Sequence, residues 1–334
     1  MMSINPVIIE VTRGLVVESR HEGAAAVVKP DGTIVGAWGD IDARVLPRSA
    51  NKPIQAMAFV ESGAVEKFGL SNEHVALACA SHNGEPRHVE TVRAWLKKVG
   101  LSEADLECGT HAPRLQASIE ALARENALPT AAFNNCSGKH SGFLTTAVAY
   151  GEPTKGYIKY DHPVQRRLRG VMSDLCGEDA NAYAHGTDGC GIPTLATPLK
   201  SLARAIASMA EPSRLSNKHA EAATLIRAAM NAEPFMVAGT GRFCTRVNGA
   251  MVGVAQVKTG VEGVFCGMLP TLGLGIAIKM WDGAARAAEV AMATLLNHLG
   301  VLPADQRDEV PHPPIKNVVG LLVGEMRPAK SWLS

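Results

Sequence analysis

The chain has 334 residues, with 33 basic and 32 acidic side chains, 46% apolar residues and 4% aromatic ones. Charge this balanced, with so few aromatics, gives no footing for nucleic acid or a membrane surface as partner. Without a run of about 18 apolar residues, no membrane-spanning helix is expected. Length allows one large domain or two ordinary ones.

Residues 6–39 predict β structure. PVIIEV, GLVVES and GAAAVVKPDGTIVGAWGD are rich in Val and Ile, and KPDGTI is a turn signal. From about 50 to 235 the pattern is mostly helical, because VETVRAWLKKV, QASIEALAREN, HPVQRRLRGVMSDLC and TPLKSLARAIASMA space their apolar residues at helical intervals. Strands return from 242. RFCTRVNGAMVGVAQVKTG holds Asn248-Gly249 between short alternating runs, which predicts a hairpin. EGVFCGML and GLGIAIKMW predict the next strands, AARAAEVAMATLLNHL a helix and NVVGLLVGEM a final strand. No linker or repeat divides the chain. The reading is one α/β (α+β) domain over 1–334. Its terminal segments, about 5–48 and 236–330, form an antiparallel sheet flanked by helices, and about 49–235 forms a helical middle lobe. The opening MMSINPVIIEVTRG lacks a leader pattern. Seven scattered cysteines suit free thiols in a reducing compartment, so a cytoplasmic setting is expected.

RSANKPIQAM places Ser49 three residues before Lys52, with Pro53 marking a helix start. Residues i and i+3 share a helix face, so a neutral Lys52 could take the Ser49 proton. A helix start also offers N–H groups to an oxyanion. Alone, the motif is common, and a capping serine explains it equally well. ACASHNGEP adds Ser81-His82-Asn83, and AQVKTGVEG adds Lys258-Thr259-Gly260 at a strand end. Ser-x-x-Lys, Ser-x-Asn and Lys-Thr-Gly, in that order, form the signature set of the penicillin-recognising serine enzymes. The expected pairs are Ser49–Lys52 and Ser81–Lys258. The Ser49 N–H and one from just after Gly260 would form the oxyanion hole. Ser49 is the preferred nucleophile for its helix-start position, although sequence leaves Ser81 open.

NNCSGKHSG and HGTDGCGIP carry Cys136, Lys139 and His140, then His185, Asp188 and Cys190. Two cysteines, each in a glycine-containing loop before a helix, could converge on a metal, or pack as buried thiols beneath turns. Cys79, Cys108, Cys176, Cys244 and Cys266 read as core residues.

Together, RSANKPIQA, CASHNGEPRHVETV, NNCSGKHSGFL, GTDGCGIPT and KTG resemble the rhizobial-type, or class 3, asparaginases, most closely the constitutive form; the likeness runs over about residues 5–330. The resemblance implies a serine-β-lactamase and glutaminase-like fold, a homodimer, and hydrolysis of L-asparagine to L-aspartate and ammonia. It implies that Ser49, Lys52, Ser81 and Lys258 are the two serine–lysine tandems. It implies that Cys136, Lys139 and Cys190 hold zinc, with water completing the sphere and Asp188 alongside. Arg48, His82, Asn83 and Asp188 are near enough in the motifs to bind the substrate's α-groups. Thr187, in HGTDG, reads as a loop residue beside the metal. Zinc beside Asp188 is expected to order the pocket rather than to activate water. The rivals on this fold are a glutaminase, which differs by one methylene worth about 1–3 kcal/mol of discrimination, and a β-lactamase or penicillin-binding peptidase. A non-catalytic amino-acid sensor is a rival from another class, and two intact serine–lysine pairs weigh against it.

Overall fold

The structure, a computed structural model, describes residues 5–307 and 310–333. Its main sheet has eight strands: β1 (Val7–Arg13), β2 (Val16–Val28), β3 (Ile34–Trp38), β4 (Gln256–Thr259), β5 (Val264–Leu269), β6 (Leu274–Met280), β7 (Pro314–Lys316) and β8 (Leu322–Pro328). The order is β7-β8-β1-β2-β6-β5-β4, with β3 also paired to β2. Every pairing is antiparallel. Both ends of the chain therefore share one sheet. The seam is β2 against β6, with Gly23 opposite Met280 and Val28 opposite Gly275.

The sequence of β2 explains its central place. Ala24, Ala26 and Val28 pack into the core on the side of the helical lobe. Ala25 and Val27 pack into a second core on the other face. Successive side chains of a strand point to opposite faces, so a run that is apolar at every position is buried on both.

The middle of the chain folds as α1 (Lys52–Glu61), α2 (Asn72–Ala78), α3 (Pro86–Lys98), α4 (Gln116–Arg124), α5 (Ser137–Tyr150), α6 (Pro163–Cys176), α7 (Leu199–Ala210) and α8 (Asn217–Ala232). Helix α7 lies directly on β6, where a Cβ on Gly275 would stand 2.2 Å from the Ala203 carbonyl oxygen. On the opposite face, α9 (Phe243–Ala250) and α10 (Ala285–His298) supply much of the second core. All seven cysteines are free and buried. Among the described residues, no helix is long and apolar enough to cross a membrane.

Three expectations are corrected. Asn248-Gly249 does not turn a hairpin but lies inside α9. The buried Asn248 amide accepts from Val257 N at 2.7 Å and donates to Val257 O at 3.3 Å, so its polar atoms bind the start of β4 instead of closing a turn. Phe243, Cys244 and Val247 give α9 its apolar face. The second thiol loop, HGTDGCGIP, does not precede a helix. His185–Thr187 pairs with Pro193–Leu195, leaving Asp188 and Cys190 in the tip of a short hairpin. The final strand begins at Leu322, because Asn317–Leu321 closes a turn through an Asn317 N to Leu321 O bond of 2.9 Å.

Candidate active site

Three separate segments bring the serine and lysine motifs together. A 3₁₀ turn, Arg48–Asn51, carries Ser49 and runs into α1, which opens at Lys52 with Pro53 in its first turn. Ser81 follows the end of α2, and Lys258 projects from the edge strand β4. The edge strand presses against the serine turn. A Cβ on Gly260 would lie 2.8 Å from Pro47 O and 3.1 Å from Ala50 N, so only glycine lets the two backbones approach this closely. The Gly260 N–H is engaged by Val264 O at 2.7 Å, so an oxyanion donor from this strand end must come from beyond it.

Both lysines meet at Ser81. Lys258 Nζ lies 2.9 Å from Ser81 Oγ and 2.7 Å from Thr259 O. Lys52 Nζ lies 3.1 Å from the same Oγ, 3.2 Å from Cys136 Sγ and 3.4 Å from Asn135 O, and it also donates to Ala80 O. This alters the pairing expected from sequence: Lys52 donates to Ser81 and not to Ser49. A buried ammonium needs several acceptors, and the Ala80 carbonyl just past α2 and the Asn135 carbonyl just before α5 supply two of them. Ser49 is 8% exposed, on the turn that leads into Lys52.

Burial, and then the charge of Lys52, push Lys258 down to about 7. Lys52 is also lowered, chiefly by burial, with Lys139 adding repulsion against the pull of Cys136 and Cys190. A lysine that is neutral near pH 7 and within hydrogen-bond reach of a hydroxyl meets both requirements of a general base.

The thiol loops also converge. Cys136 caps α5, Lys139 sits in its first turn, and Cys190 arrives from the hairpin tip. Lys139 Nζ is 3.0 Å from Cys190 Sγ. A hydrogen bond from Cys136, helped by Lys139 and opposed by burial, lowers Cys190 to about 5. The same bond, with burial, pushes Cys136 up to about 12. Burial works against a charge on Lys139, but Cys190, Cys136 and Asp188 outweigh it and hold the amine above its usual value. The two sulfurs are donors that zinc favours, whereas the Lys139 amine, raised above its usual value, would have to lose its proton to join them. Among the described residues, no group of three His, Cys, Asp or Glu comes together to hold a metal. His140 is held by Tyr157 Oη at 2.7 Å, and His185 stacks on Tyr160. Thr187 ends its short strand, exposed.

Of the four residues expected to touch substrate, two are committed elsewhere. His82 meets Ser137 Oγ at 2.9 Å through Nε2, accepts from Gly84 N at 3.1 Å through Nδ1, and stacks on His88. Burial holds it well below the usual histidine value. Asn83 donates to Glu85 Oε1 and Thr240 O, each at 3.1 Å, and accepts from Arg242 Nη1 at 3.1 Å. Their polar atoms are satisfied within the protein. Arg48 and Asp188 remain, joined by an ion pair of 3.2 Å. Burial would raise the Asp188 carboxyl, but Lys139 and Arg48 outweigh it and hold it below its ordinary value. Arg48 has φ +50°, a left-handed conformation that is costly for a side chain with a Cβ.

Sequence reasoning missed Glu85, Thr240 and Arg242. Glu85 accepts from Thr240 N at 2.8 Å and Thr240 Oγ1 at 2.7 Å, and Arg242 donates to Ser81 O at 3.3 Å. The available signal was the short Gly-Thr-Gly-Arg stretch at 239–242, a glycine-rich loop ahead of a helix.

A serine hydroxyl bridged by two buried lysines on an α/β scaffold is the equipment of a hydrolase that works through a hydroxyl group. The family then follows: residues 9–328 match the family model described as L-asparaginase II, and the chain belongs to that family. No match was found among curated proteins. Among solved structures, the chain is similar to Mglu in its tris and glutamate form, at 15% identity and a TM-score of 0.48, covering 90% of this chain. It spans 64% of the length of Mglu. It is also similar to a beta-lactamase from Mycobacterium bovis, at 16% identity and a TM-score of 0.41, covering 84% of this chain and 95% of the other.

Proposed function

We propose that the protein is an L-asparaginase that hydrolyses L-asparagine to L-aspartate and ammonia through Ser49, Lys52, Ser81 and Lys258. The observation that carries this reading is the single Ser81 Oγ held between Lys258 and Lys52, at 2.9 and 3.1 Å. Ser49 attacks the side-chain amide carbon. Its proton passes through the Ser81 hydroxyl to Lys258, which is neutral above about pH 7. The same bridge returns the proton to the leaving ammonia, and water then resolves the acyl-enzyme by the reverse relay.

Ser49 rather than Ser81 is assigned as nucleophile on backbone grounds. The Ser81 N–H is bonded to Val237 O at 3.0 Å and is not free to serve an oxyanion. A hydroxyl engaged by two amines suits a proton carrier. Ser49 opens a helical turn, where its own N–H, with one from beyond Gly260, can stabilise the oxyanion. Asp188, steadied by Arg48, faces the substrate's α-ammonium.

Cys136, Lys139 and Cys190 would hold one zinc ion. It would supply a fixed positive charge that orders the pocket around Asp188. The reading also includes a homodimer in the cytoplasm, and the seven free buried thiols support that setting.

Ammonia release from asparagine, glutamine and, as a control for β-lactamase chemistry, opening of a chromogenic β-lactam test the substrate class. Asparagine is expected to be the best of the three. A preference for glutamine or the β-lactam would replace the reading. A diazo-ketone analogue of asparagine, followed by peptide mapping, tests the nucleophile. Label is expected on Ser49, and label on Ser81 would exchange the two roles.

A further inference from the structure

The reading above leaves open which group holds the substrate's α-carboxylate. In asparagine that carboxylate lies three carbon–carbon bonds, roughly 4 Å, from the reacting amide carbon. Its partner must be a cation beside the serines with donors still to give. The lysines of the site are engaged within the protein, whereas Arg48 keeps a buried Nε with no partner beside its Nη2 bond to Asp188. Lys52 is shared among Ala80 O, Ser81 Oγ, Asn135 O and Cys136 Sγ. Lys139 faces Cys190, Lys258 is bonded to Ser81 and Thr259 O, and Arg48 is paired with Asp188.

Arg242 differs. Its Nη1 donates to Ser81 O at 3.3 Å and to Asn83 Oδ1 at 3.1 Å. Its Nε and Nη2 have no acceptor among the described residues, and neither atom is fully buried. A guanidinium touching the Ser81 carbonyl lies within one residue's span of the Ser81 hydroxyl.

The surroundings are built to hold it there. Glu85, 8% exposed, accepts from Asn83 Nδ2, Thr240 N and Thr240 Oγ1, and so fixes both the amide that grips Arg242 and the loop that leads to it. The loop can come this close only because residue 239 is glycine. Its φ is +106°, and a Cβ there would stand 2.3 Å from Glu85 Oε1. Arg114 adds a second cation. Its backbone N–H donates to Asn83 O at 2.9 Å, and repulsion from Arg242, after burial, lowers the affinity of its guanidinium for a proton. Neither arginine forms a salt bridge with a carboxylate among the described residues. Arg242 does feel the partly buried Glu289 carboxylate, whose raised pKa it opposes, but it is not hydrogen-bonded to it, so its remaining donors beside Ser81 make a place for an anion.

We propose that Arg242, aimed by Asn83 and the Glu85–Thr240 contact and supported by the charge of Arg114, binds the α-carboxylate of the substrate. The inference rests on the asparaginase reading and names the specificity residue of that site. A planar fork suits a carboxylate in a way that a lysine ammonium does not.

The test compares wild type with Arg242→Gln and Arg242→Lys on two amides, L-asparagine and 3-aminopropanamide, which is asparagine without its α-carboxylate. Binding of L-aspartate is measured in parallel by calorimetry. Arg242→Gln is expected to raise KM for asparagine and Kd for aspartate about 10- to 100-fold, the usual scale for losing a charged hydrogen bond. Its kcat/KM on 3-aminopropanamide should stay within about twofold of wild type. Arg242→Lys should fall between the two. Equal losses on both amides would make Arg242 a structural residue and overturn the proposal, as would unchanged KM and Kd. The underlying reading fails separately: wild type would then release no ammonia from asparagine, while loss of aspartate binding in Arg242→Gln would still report the carboxylate site.

Discussion

Lys258 and Lys139 lie in the same site, each 2% exposed, and burial by itself would strip the charge from both. Only Lys258 follows that course. Its polar neighbours are a hydroxyl, a carbonyl and a second lysine, which repels a proton, and it comes down to about 7. Lys139 faces the Cys190 thiolate, with Cys136 and Asp188 nearby, and stays above its ordinary value. Burial sets the cost of a charge, and the neighbours decide whether it is kept. One lysine is thereby prepared to take a proton from a serine. The other remains a cation beside the Cys190 sulfur.

The sharpest way to break this contrast is to remove the amine and keep the stem. Lys258→Met should lower ammonia release by about 10³-fold or more, because base and nucleophile act as a unit. Thermal melting at neutral pH should be no lower than in wild type, since an apolar group replaces a desolvated amine. A variant that loses melting temperature along with activity would show Lys258 to be a structural residue. Ser49→Ala should match it in activity and remain folded.

The pH profile should show the same contrast with a smaller effect. The base is active when neutral, so protonation below its pKa removes activity. With Lys258 at about 7, kcat/KM should fall about tenfold per pH unit below that point and level off above it. Because Lys52 and Lys258 share one hydroxyl, the inflection belongs to the pair rather than to either residue alone. A flat profile from about pH 6 to 9 would deny a titrating lysine any part in the reaction.

What the sequence revealed, and what it concealed, follows the range of the interactions. The strands of the sheet were legible because Ala24–Val28 and Leu274–Met280 are apolar at almost every position, a local property. The hairpin at Asn248-Gly249 was misread because the partner of Asn248 is Val257 backbone, and a local turn rule does not contain it. The Ser49–Lys52 pairing was misread for a related reason. Spacing tells which residues are neighbours along a helix, but a buried ammonium goes to whichever acceptors the fold leaves unsatisfied. Cys136, Lys139 and Cys190, by contrast, were grouped through resemblance, and their three side chains do lie together. Arg242 had only the weak signal of its glycine-rich loop, since its setting depends on Asn83, 159 residues earlier in the chain.

The smallest expected effect lies on the thiol side, and it probes the other lysine. By themselves, the three side chains hold a Cys190 thiolate, a Cys136 thiol and a Lys139 ammonium at neutral pH, given values of about 5 and about 12 for the two sulfurs and a raised lysine. Binding zinc through two sulfurs and an amine requires Cys136 and Lys139 each to give up a proton. About two protons should therefore be released per zinc bound, and calorimetry in buffers of different ionisation enthalpy reads that number directly. Cys190→Ser is the better variant for the kinetic half of the test, because Cys136 also touches Lys52 at 3.2 Å and its loss would disturb the proton relay. Removing zinc, or Cys190, should raise KM several-fold by loosening the pocket around Asp188, with a smaller change in kcat, because the Ser81–Lys258 contact is untouched. If chelation instead abolished kcat at constant KM, the metal would belong to the chemical step. If no zinc bound even after resupply, the cluster would be a buried thiolate–ammonium pair, and the raised Lys139 would serve only to balance that charge.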